Sequence, residues 1–364
     1  MKHTIALAAG GTGGHLFPAE ALARELMARG HDVVIHTEQR GAQFTRALEG
    51  IAHVVLPASS LEGGLAAKAR AAFTILRGVL AARRDLRRRR AAVMVGFGGY
   101  PSFAPALAAR SLGLPLLLHE QATRLSKANV QLLRIASALA TSFPEVAGTE
   151  GFDPARIVET GNPVRQAILQ ARGDYPPLDA EGPLRLLVVG GSQSAAVFGR
   201  VVPPALALLP ESLRRRLQLS LQYRGEDADV LAAQLREAGI DATVRPFFDD
   251  MGERLRAAHL VVTRAGATTA ADLLTIGRPA IFVPLPHGGA REEQRRNAQT
   301  LAQAGVGWHI AEADLLPGTL AAVLRDAFES PTRLPDAARA AAALGRPDAA
   351  ARLADAVERL LPAA

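Results

Sequence analysis

The sequence predicts an α/β fold built from two Rossmann-like domains, each a parallel sheet covered by helices. Apolar, β-branched runs alternate with amphipathic alanine- and leucine-rich stretches along most of the chain, the pattern of parallel sheets buried on both faces. The alternation starts twice. It begins with "TIALAAGGTGG" (4–14) and again with "LRLLVVGGSQS" (184–194), each a strand that ends in paired glycines and a small polar residue. The length of 364 residues suits two domains of ordinary size.

In the first series, strands are expected at 4–9, 32–37, 53–56, 92–97, 115–119, 138–143 and 157–160. In the second they are expected at 184–190, 218–223, 243–247, 260–263 and 280–284. Between the series, the polar, proline-bearing "DYPPLD" (174–179) reads as a linker. Open parallel sheets bind ligands at the carboxyl ends of their strands. Two such sheets facing an interdomain cleft would set two ligands against each other.

Composition narrows the class. Apolar residues make up 49% of the chain, enough for sizeable cores, and the absence of cysteine excludes disulfides and thiolate metal sites and suits a reducing compartment. No long apolar segment follows Lys2-His3, and no stretch reaches the roughly 20 apolar residues that span a bilayer. A soluble, cytoplasmic protein is therefore expected. The net charge is +7, with much of the excess in "KARAAFTILRGVLAARRDLRRRR" (68–90). Basic proteins meet nucleic acid, anionic membranes or anionic substrates. Aromatic residues are only 4% of the chain, too few for a base-stacking surface, so nucleic acid is not expected as a partner.

The glycine turns carry the chemistry. "GGTGGH" (10–15) ends a strand and opens a helix, yet Leu16 stands where a dinucleotide fingerprint needs glycine. The loop also lacks the lysine of an ATP-binding loop, and no acidic partner for a ribose is evident. "GGSQSA" (190–195) repeats the geometry, with the Ser192 hydroxyl and helix-start N–H groups able to hold an anion. In "TRAGATTAADLL" (263–274), Ala267, Thr268 and Thr269 offer N–H groups and hydroxyls to a diphosphate, and Asp272 a carboxylate to ribose hydroxyls. Thr268 also suits a helix cap, and Asp272 a charge favoured near the positive helix end. Glu293, Gln294 and Asn297 are candidates for sugar hydroxyls, and Phe247 and Phe248 for framing a base or for core. In the first half His15, Tyr100 and Glu120 all stand at predicted strand ends, with Arg165 in reach of a phosphate between the domains. No histidine or acidic cluster has metal-ligand spacing, so no metal and no cofactor are expected.

In order along the chain, "GGTGGHLFPA" (10–19), "GGYPSFAPALAA" (98–109), "LLHEQ" (117–121), "GNPVR" (161–165), "VVGGSQ" (188–193), "PFFDDM" (246–251), "RAGATT" (264–269), "QRRNA" (294–298) and "PDAAARLADAV" (347–357) resemble the MurG family essentially end to end. The resemblance implies a GT-B glycosyltransferase of peptidoglycan synthesis, peripheral on the cytoplasmic face of the inner membrane. It would be an inverting enzyme that moves N-acetylglucosamine from UDP-N-acetylglucosamine to the 4-hydroxyl of lipid-linked N-acetylmuramyl-pentapeptide (lipid I). Its domains would be an acceptor- and membrane-binding 1–163, a UDP-sugar-binding 164–345, and a C-terminal helix over 346–364 packing back on the first.

On the matching positions, Ser192 and Arg165 would contact the donor and Phe248 would meet uracil through its backbone. Ala267, Thr268 and Thr269 would lie along the diphosphate, Asp272 would hold the ribose, and Gln294 the sugar. Thr12, Gly13 and Gly14 would face the donor from the other domain, with His15 the first candidate for general base and Glu120 the second. Phe73, Ile75, Leu76, Val79 and Leu80, rimmed by Arg77, Arg83 and Arg84, would face an anionic membrane; the alternative for this stretch is an amphipathic core helix with a solvated arginine end. The chain departs from the family pattern at Ala122, Ser194, Ala265 and Asp272, where asparagine, glycine, serine and glutamate are usual. Those departures leave open a paralogue with another UDP-sugar or polyprenyl acceptor. A non-catalytic membrane-surface protein is the third alternative.

Overall fold

A computed structural model describes residues 1–59, 64–190, 196–287 and 291–362. The chain divides into two units, Met1–Arg165 together with Arg346–Ala364, and Gln166–Gly345. The first holds seven parallel strands: β1 (Thr4–Ala8), β2 (Asp32–Thr37), β3 (Ala52–Val55), β4 (Ala91–Gly96), β5 (Leu116–Glu120), β6 (Ala138–Thr141) and β7 (Ile157–Glu159). Their order in the sheet is β3-β2-β1-β4-β5-β6-β7. The order reverses beside β1, so the crevice between the ends of β1 and β4 is the switch point where such sheets take ligands.

The second unit repeats the plan with β8 (Leu184–Val189), β9 (Leu217–Gln222), β10 (Asp241–Arg245), β11 (Leu260–Thr263), β12 (Ala280–Phe282) and β13 (Gly307–His309), ordered β10-β9-β8-β11-β12-β13. Its switch point lies between β8 and β11. The edge strand β13 is absent from the sequence expectation. It is three residues long and opens on a glycine, which breaks the apolar signal. That glycine is a packing requirement, because a Cβ at Gly307 would stand 1.9 Å from the Ala280 carbonyl oxygen of the neighbouring strand.

Central strands are buried throughout, as both-face coverage demands. Ile5, Leu7, Val93 and Val95 pack with Leu16, Leu22 and Leu26 of the helix Gly13–Ala28 on one side of the first sheet. Ala6, Ala8, Met94 and Leu118 face Leu86 and Ala106 on the other. The C-terminal helix Ala349–Glu358 belongs to this unit, and its Leu353 and Val357 join the first of these clusters. Arg29 fastens it, donating to Asp355 Oδ1 (2.6 Å) and Glu358 Oε2 (2.8 Å).

The arginine-rich segment forms one long helix, Leu65–Arg89. The outward patch is narrower than the sequence suggests. Phe73, Leu76 and Leu80 are 62%, 54% and 59% exposed and share a face with exposed Arg77 and Arg84. Val79, by contrast, packs against the core of the unit, and Ile75 is half-buried. Arg83 does not face outward as a free charge either. Its guanidinium donates to the Ser111 carbonyl (2.7 Å) and to the Ser111 hydroxyl, at the end of the helix Phe103–Ser111. Asp85 ties the basic helix to the sheet, accepting from His36 Nε2 (3.0 Å), Arg88 (2.7 Å) and Arg89 (2.9 Å). His36 first, then the two arginines, hold its carboxyl far below the usual carboxylate range against the opposing effect of burial. No helix among the described residues is long and apolar enough to cross a membrane.

Candidate functional site

At the first switch point the glycine loop leaves β1 and enters the helix Gly13–Ala28. Gly11 takes φ +80°, a left-handed backbone that favours glycine. Thr12 is the extended N-cap, and its carbonyl accepts the His15 and Leu16 N–H groups. Gly13 and Gly14 therefore lie before the first intrahelical bonds, where a helix end favours negative charge. A Cβ at Gly13 would come within 2.7 Å of the Phe17 ring, so a side chain there would require the ring to shift. The Arg165 guanidinium stacks on the other part of this element, 4.4 Å from the Phe17 ring centroid, so a fixed cation stands beside the loop.

His15 projects from this helix toward the end of β4. Its Nδ1 lies 2.8 Å from the Phe97 carbonyl oxygen. A carbonyl only accepts, so Nδ1 carries the proton and Nε2 keeps its lone pair. The Gln121 amide donates to the same carbonyl at 3.3 Å, which helps fix the acceptor that orients the ring. Burial lowers the His15 pKa from the usual 6.5, opposed by the Phe97 bond, so the imidazole is held neutral. The second glycine turn lies against the ring edge: a Cβ at Gly99 would be 3.4 Å from His15 Nε2. Tyr100 follows directly, and burial together with the Glu38 charge raises its phenol pKa.

Glu120 ends β5 and is buried, but its oxygens are committed. Oε1 accepts the Gln121 (3.0 Å) and Ala122 (3.2 Å) N–H groups. Oε2 accepts the Ser126 N–H (2.7 Å) and the Asn129 amide (2.9 Å). Burial raises its pKa and these four bonds oppose the rise. With four donors on its lone pairs, Glu120 organises the 121–129 turn rather than offering itself to a substrate proton. Its neighbour His119 donates from Nε2 to the Gly161 carbonyl (3.1 Å) and is pushed down to about 4 by burial. It thereby steadies the segment that leads to Arg165.

In the second unit, residues 191–195 lie outside the described residues, and Ser192 and Ser194 with them. The described edge is at β11 and β12. The helix Ala267–Ile276 starts after the N-cap Gly266, which contributes no side-chain cap, and its first bond is Ala270 N–H to Gly266 O (2.9 Å). The N–H groups of Ala267, Thr268 and Thr269 precede that bond, the arrangement that receives anions. Asp272 lies one turn on and is buried. Gln294 approaches from the helix Arg291–Gln303: its Oε1 accepts the Leu285 N–H (3.1 Å), which turns its amide nitrogen toward Gly266, where a Cβ would be 4.0 Å away. Ala267, Thr268, Thr269, Asp272 and Gln294 thus share one strand edge. Glu293 is half-buried on the same helix.

One residue differs from expectation. Asn297 is wholly buried and donates to the Ala265 carbonyl (3.1 Å), so it holds the loop rather than reaching a sugar. Phe248 is core, beneath the Arg254 guanidinium at 4.2 Å, whereas Phe247 is 56% exposed. Arg264 braces the same edge, donating to the Val283 (3.1 Å) and Pro284 (3.2 Å) carbonyls and pairing with Glu312 (2.5 Å).

Comparison with known proteins decides the family. The model of the glycosyltransferase family 28 N-terminal domain matches residues 5–141, and that of its C-terminal domain residues 185–353. A relative from Rhodospirillum centenum, named UDP-N-acetylglucosamine--N-acetylmuramyl-(pentapeptide) pyrophosphoryl-undecaprenol N-acetylglucosamine transferase, is 49% identical over 356 residues, covering 97% of this chain and 93% of its own. One of the same name from Methylobacterium sp. is 48% identical over 353 residues, covering 96% and 95%. The crystal structure of Acinetobacter baumannii MurG superposes with a TM-score of 0.78 at 29% identity, covering 98% of this chain and 99% of that one. This chain belongs to the MurG family.

The fold is accordingly the two-domain GT-B glycosyltransferase fold. The calicheamicin glycosyltransferase CalG4 shares it at a TM-score of 0.67 and 17% identity, a likeness of fold alone. Within the MurG family frame, one residue of the first unit escaped the sequence reading. Glu38 follows β2 and is buried at the glycine loop, accepting the Gly11 N–H at 2.8 Å. An acid just after the second strand of a Rossmann-like unit is the position of a ribose-binding carboxylate, and that placement was the available signal.

Proposed function

We propose that this chain is an inverting transferase that moves N-acetylglucosamine from UDP-N-acetylglucosamine to the 4-hydroxyl of lipid I, giving lipid II. The observation that carries the reading is the match to relatives named for this transfer, 49% identical with 97% of the chain covered. The unit Gln166–Gly345 takes the donor. The N-terminus of the helix Ala267–Ile276 receives the diphosphate, Asp272 the ribose and Gln294 the sugar. The unit Met1–Arg165 takes the acceptor at its glycine loops, with Thr12, Gly13 and Gly14 at the helix end and Tyr100 beside them.

In the reaction, His15 Nε2 takes the proton of the acceptor hydroxyl as its oxygen forms a bond to the anomeric carbon. The bond from that carbon to the UDP oxygen breaks on the opposite face, which inverts the configuration. Helix N-terminal N–H groups and the Arg165 cation stabilise the charge that leaves on UDP. Glu120 positions the turn next to His15 through its four hydrogen bonds.

Ala122 is buried and carries no polar group toward a donor sugar, and Asp272 is one methylene shorter than the family's usual glutamate. The test is therefore run with a panel of UDP-sugars offered to a short-chain lipid I analogue. Transfer restricted to N-acetylglucosamine supports the assignment. Preference for another sugar marks a paralogue, and absence of transfer with every sugar marks a binding protein.

The site of action on this reading is the cytoplasmic membrane surface. Phe73, Leu76 and Leu80 supply apolar contact, with Arg77 and Arg84 alongside. The variant Phe73→Ser/Leu76→Ser/Leu80→Ser is expected to lower partitioning onto anionic vesicles about tenfold or more, given the free energy of burying large apolar side chains. Co-sedimentation with phosphatidylglycerol-containing vesicles measures this. Unchanged partitioning would remove the helix from the membrane contact.

A further inference from the structure

Glu38 stands where Rossmann-like units offer a carboxylate to a ribose, yet its oxygens are spent inside the protein. Oε1 accepts the Gly11 N–H (2.8 Å) and the Gly41 N–H (2.8 Å), and Oε2 the Arg40 N–H (2.7 Å). Tyr100 stands near enough for the Glu38 charge, together with burial, to raise its phenol pKa. The side chain is 6% exposed, so no bound ribose would reach it. The backbone is fitted around it: a Cβ at Gly10 would lie 2.9 Å from Thr37 Oγ1 and 3.3 Å from Glu38 Oε1. Gly11 itself, at φ +80°, passes 3.7 Å from the Tyr100 ring when a Cβ is built on it. The carboxylate therefore holds the loop that carries His15 by its Gly11 N–H, and that loop in turn lies against Tyr100 and Pro101 of the second glycine turn.

We propose that Glu38 is a positioning residue for the acceptor, acting through Gly11 to hold the loop that carries His15 against the second glycine turn of the first unit. The proposal rests on the acceptor reading of that unit given above. It assigns the carboxylate a role opposite to that of the ribose-binding acid it resembles in place: Glu38 closes the first unit to a nucleoside and shapes it for the anionic acceptor, leaving the nucleotide to the second unit.

The discriminating prediction is a split between substrates. Glu38→Ala strips the Gly11, Arg40 and Gly41 N–H groups of their acceptor, and the KM for a short-chain lipid I analogue is expected to rise about tenfold or more, the equivalent of one lost buried hydrogen bond. The KM for UDP-N-acetylglucosamine should stay within about twofold, since the donor edge is untouched. Glu38→Gln keeps an acceptor oxygen for Gly11 and should recover most of the acceptor affinity. If Glu38→Ala does not fold, Glu38→Asp carries the test. It retains the charge but stops one methylene short of Gly11, and the same acceptor-selective rise is expected. Equal loss on both substrates in step with a lower melting temperature, or no rise in acceptor KM, overturns the proposal. Failure of the wild-type chain to transfer at all would instead overturn the functional reading beneath it.

Discussion

His15→Ala is expected to lower kcat by roughly 10²–10⁴-fold, the range for removing a positioned general base. The acceptor hydroxyl loses the lone pair of Nε2, and its oxygen must attack without proton removal. Alanine is a strong helix former, so the helix Gly13–Ala28 should persist and the melting temperature should change far less than the rate. The pH profile follows from the same geometry. The base must be neutral, and burial holds the His15 pKa below the usual 6.5. The acid limb of kcat/KM for the wild type should therefore fall below pH 6.5, with full activity above it, and the limb should vanish in His15→Ala. Steady-state rates from pH 5 to 8 measure both effects. A near-wild-type rate in the variant would return the search for the base to the other groups at this edge.

The largest expected loss of stability is at Arg278. Its guanidinium is wholly buried and pairs with no carboxylate among the described residues. It donates instead to five carbonyls, those of Leu255, Ile276, Gly277, Asp174 and Arg256, at 2.7–3.1 Å. Two of them belong to the end of the helix Met251–Ala257 and two close the helix Ala267–Ile276, whose last carbonyls have no intrahelical donor. One side chain thus joins two helix ends to the segment at 174. Burial pushes its pKa down to about 10, so it stays charged at neutral pH. Arg278→Met keeps much of the volume and removes every donor. It should cost about 3 kcal/mol or more, since buried carbonyls are left without partners. Arg278→Lys should rescue little, because an ammonium lacks the planar fork that reaches five acceptors. Trp308, the only tryptophan, lies in β13 of the same unit, so its fluorescence during urea unfolding reports on that unit. An unchanged midpoint would mean that the carbonyls find other donors.

The parallel sheets were legible because both-face burial writes long apolar runs, as in "LRLLVV" of β8 and "ALAT" of β6. The loss of β13 has the opposite cause: its register against β12 depends on the missing side chain of Gly307, and a glycine carries no strand signal. Candidate site positions were legible where glycines and helix starts mark them, as at 10–15 and 264–269. Roles set by buried hydrogen bonds were not. Nothing in "TEQRGAQ" (37–43) reveals that Glu38 accepts three backbone N–H groups, because its partners are main chain. Glu120 and Asn297 are similar, acidic or polar residues whose bonds run inward. Arg83 and Val79 show the limit of composition on an amphipathic helix. They belong to the same basic, apolar stretch as Arg77 and Leu80, but helix phase turns them toward Ser111 and the core.

The central claim is the transfer itself, and its most direct measurement is product analysis after mixing the purified chain with UDP-N-acetylglucosamine and a short-chain lipid I analogue. The account predicts one equivalent of UDP released for each N-acetylglucosamine attached, on the 4-hydroxyl of the muramyl sugar and with β configuration, inverted from the donor. Retained configuration, UDP release without a glycosylated product, or attachment only from a different UDP-sugar would contradict it.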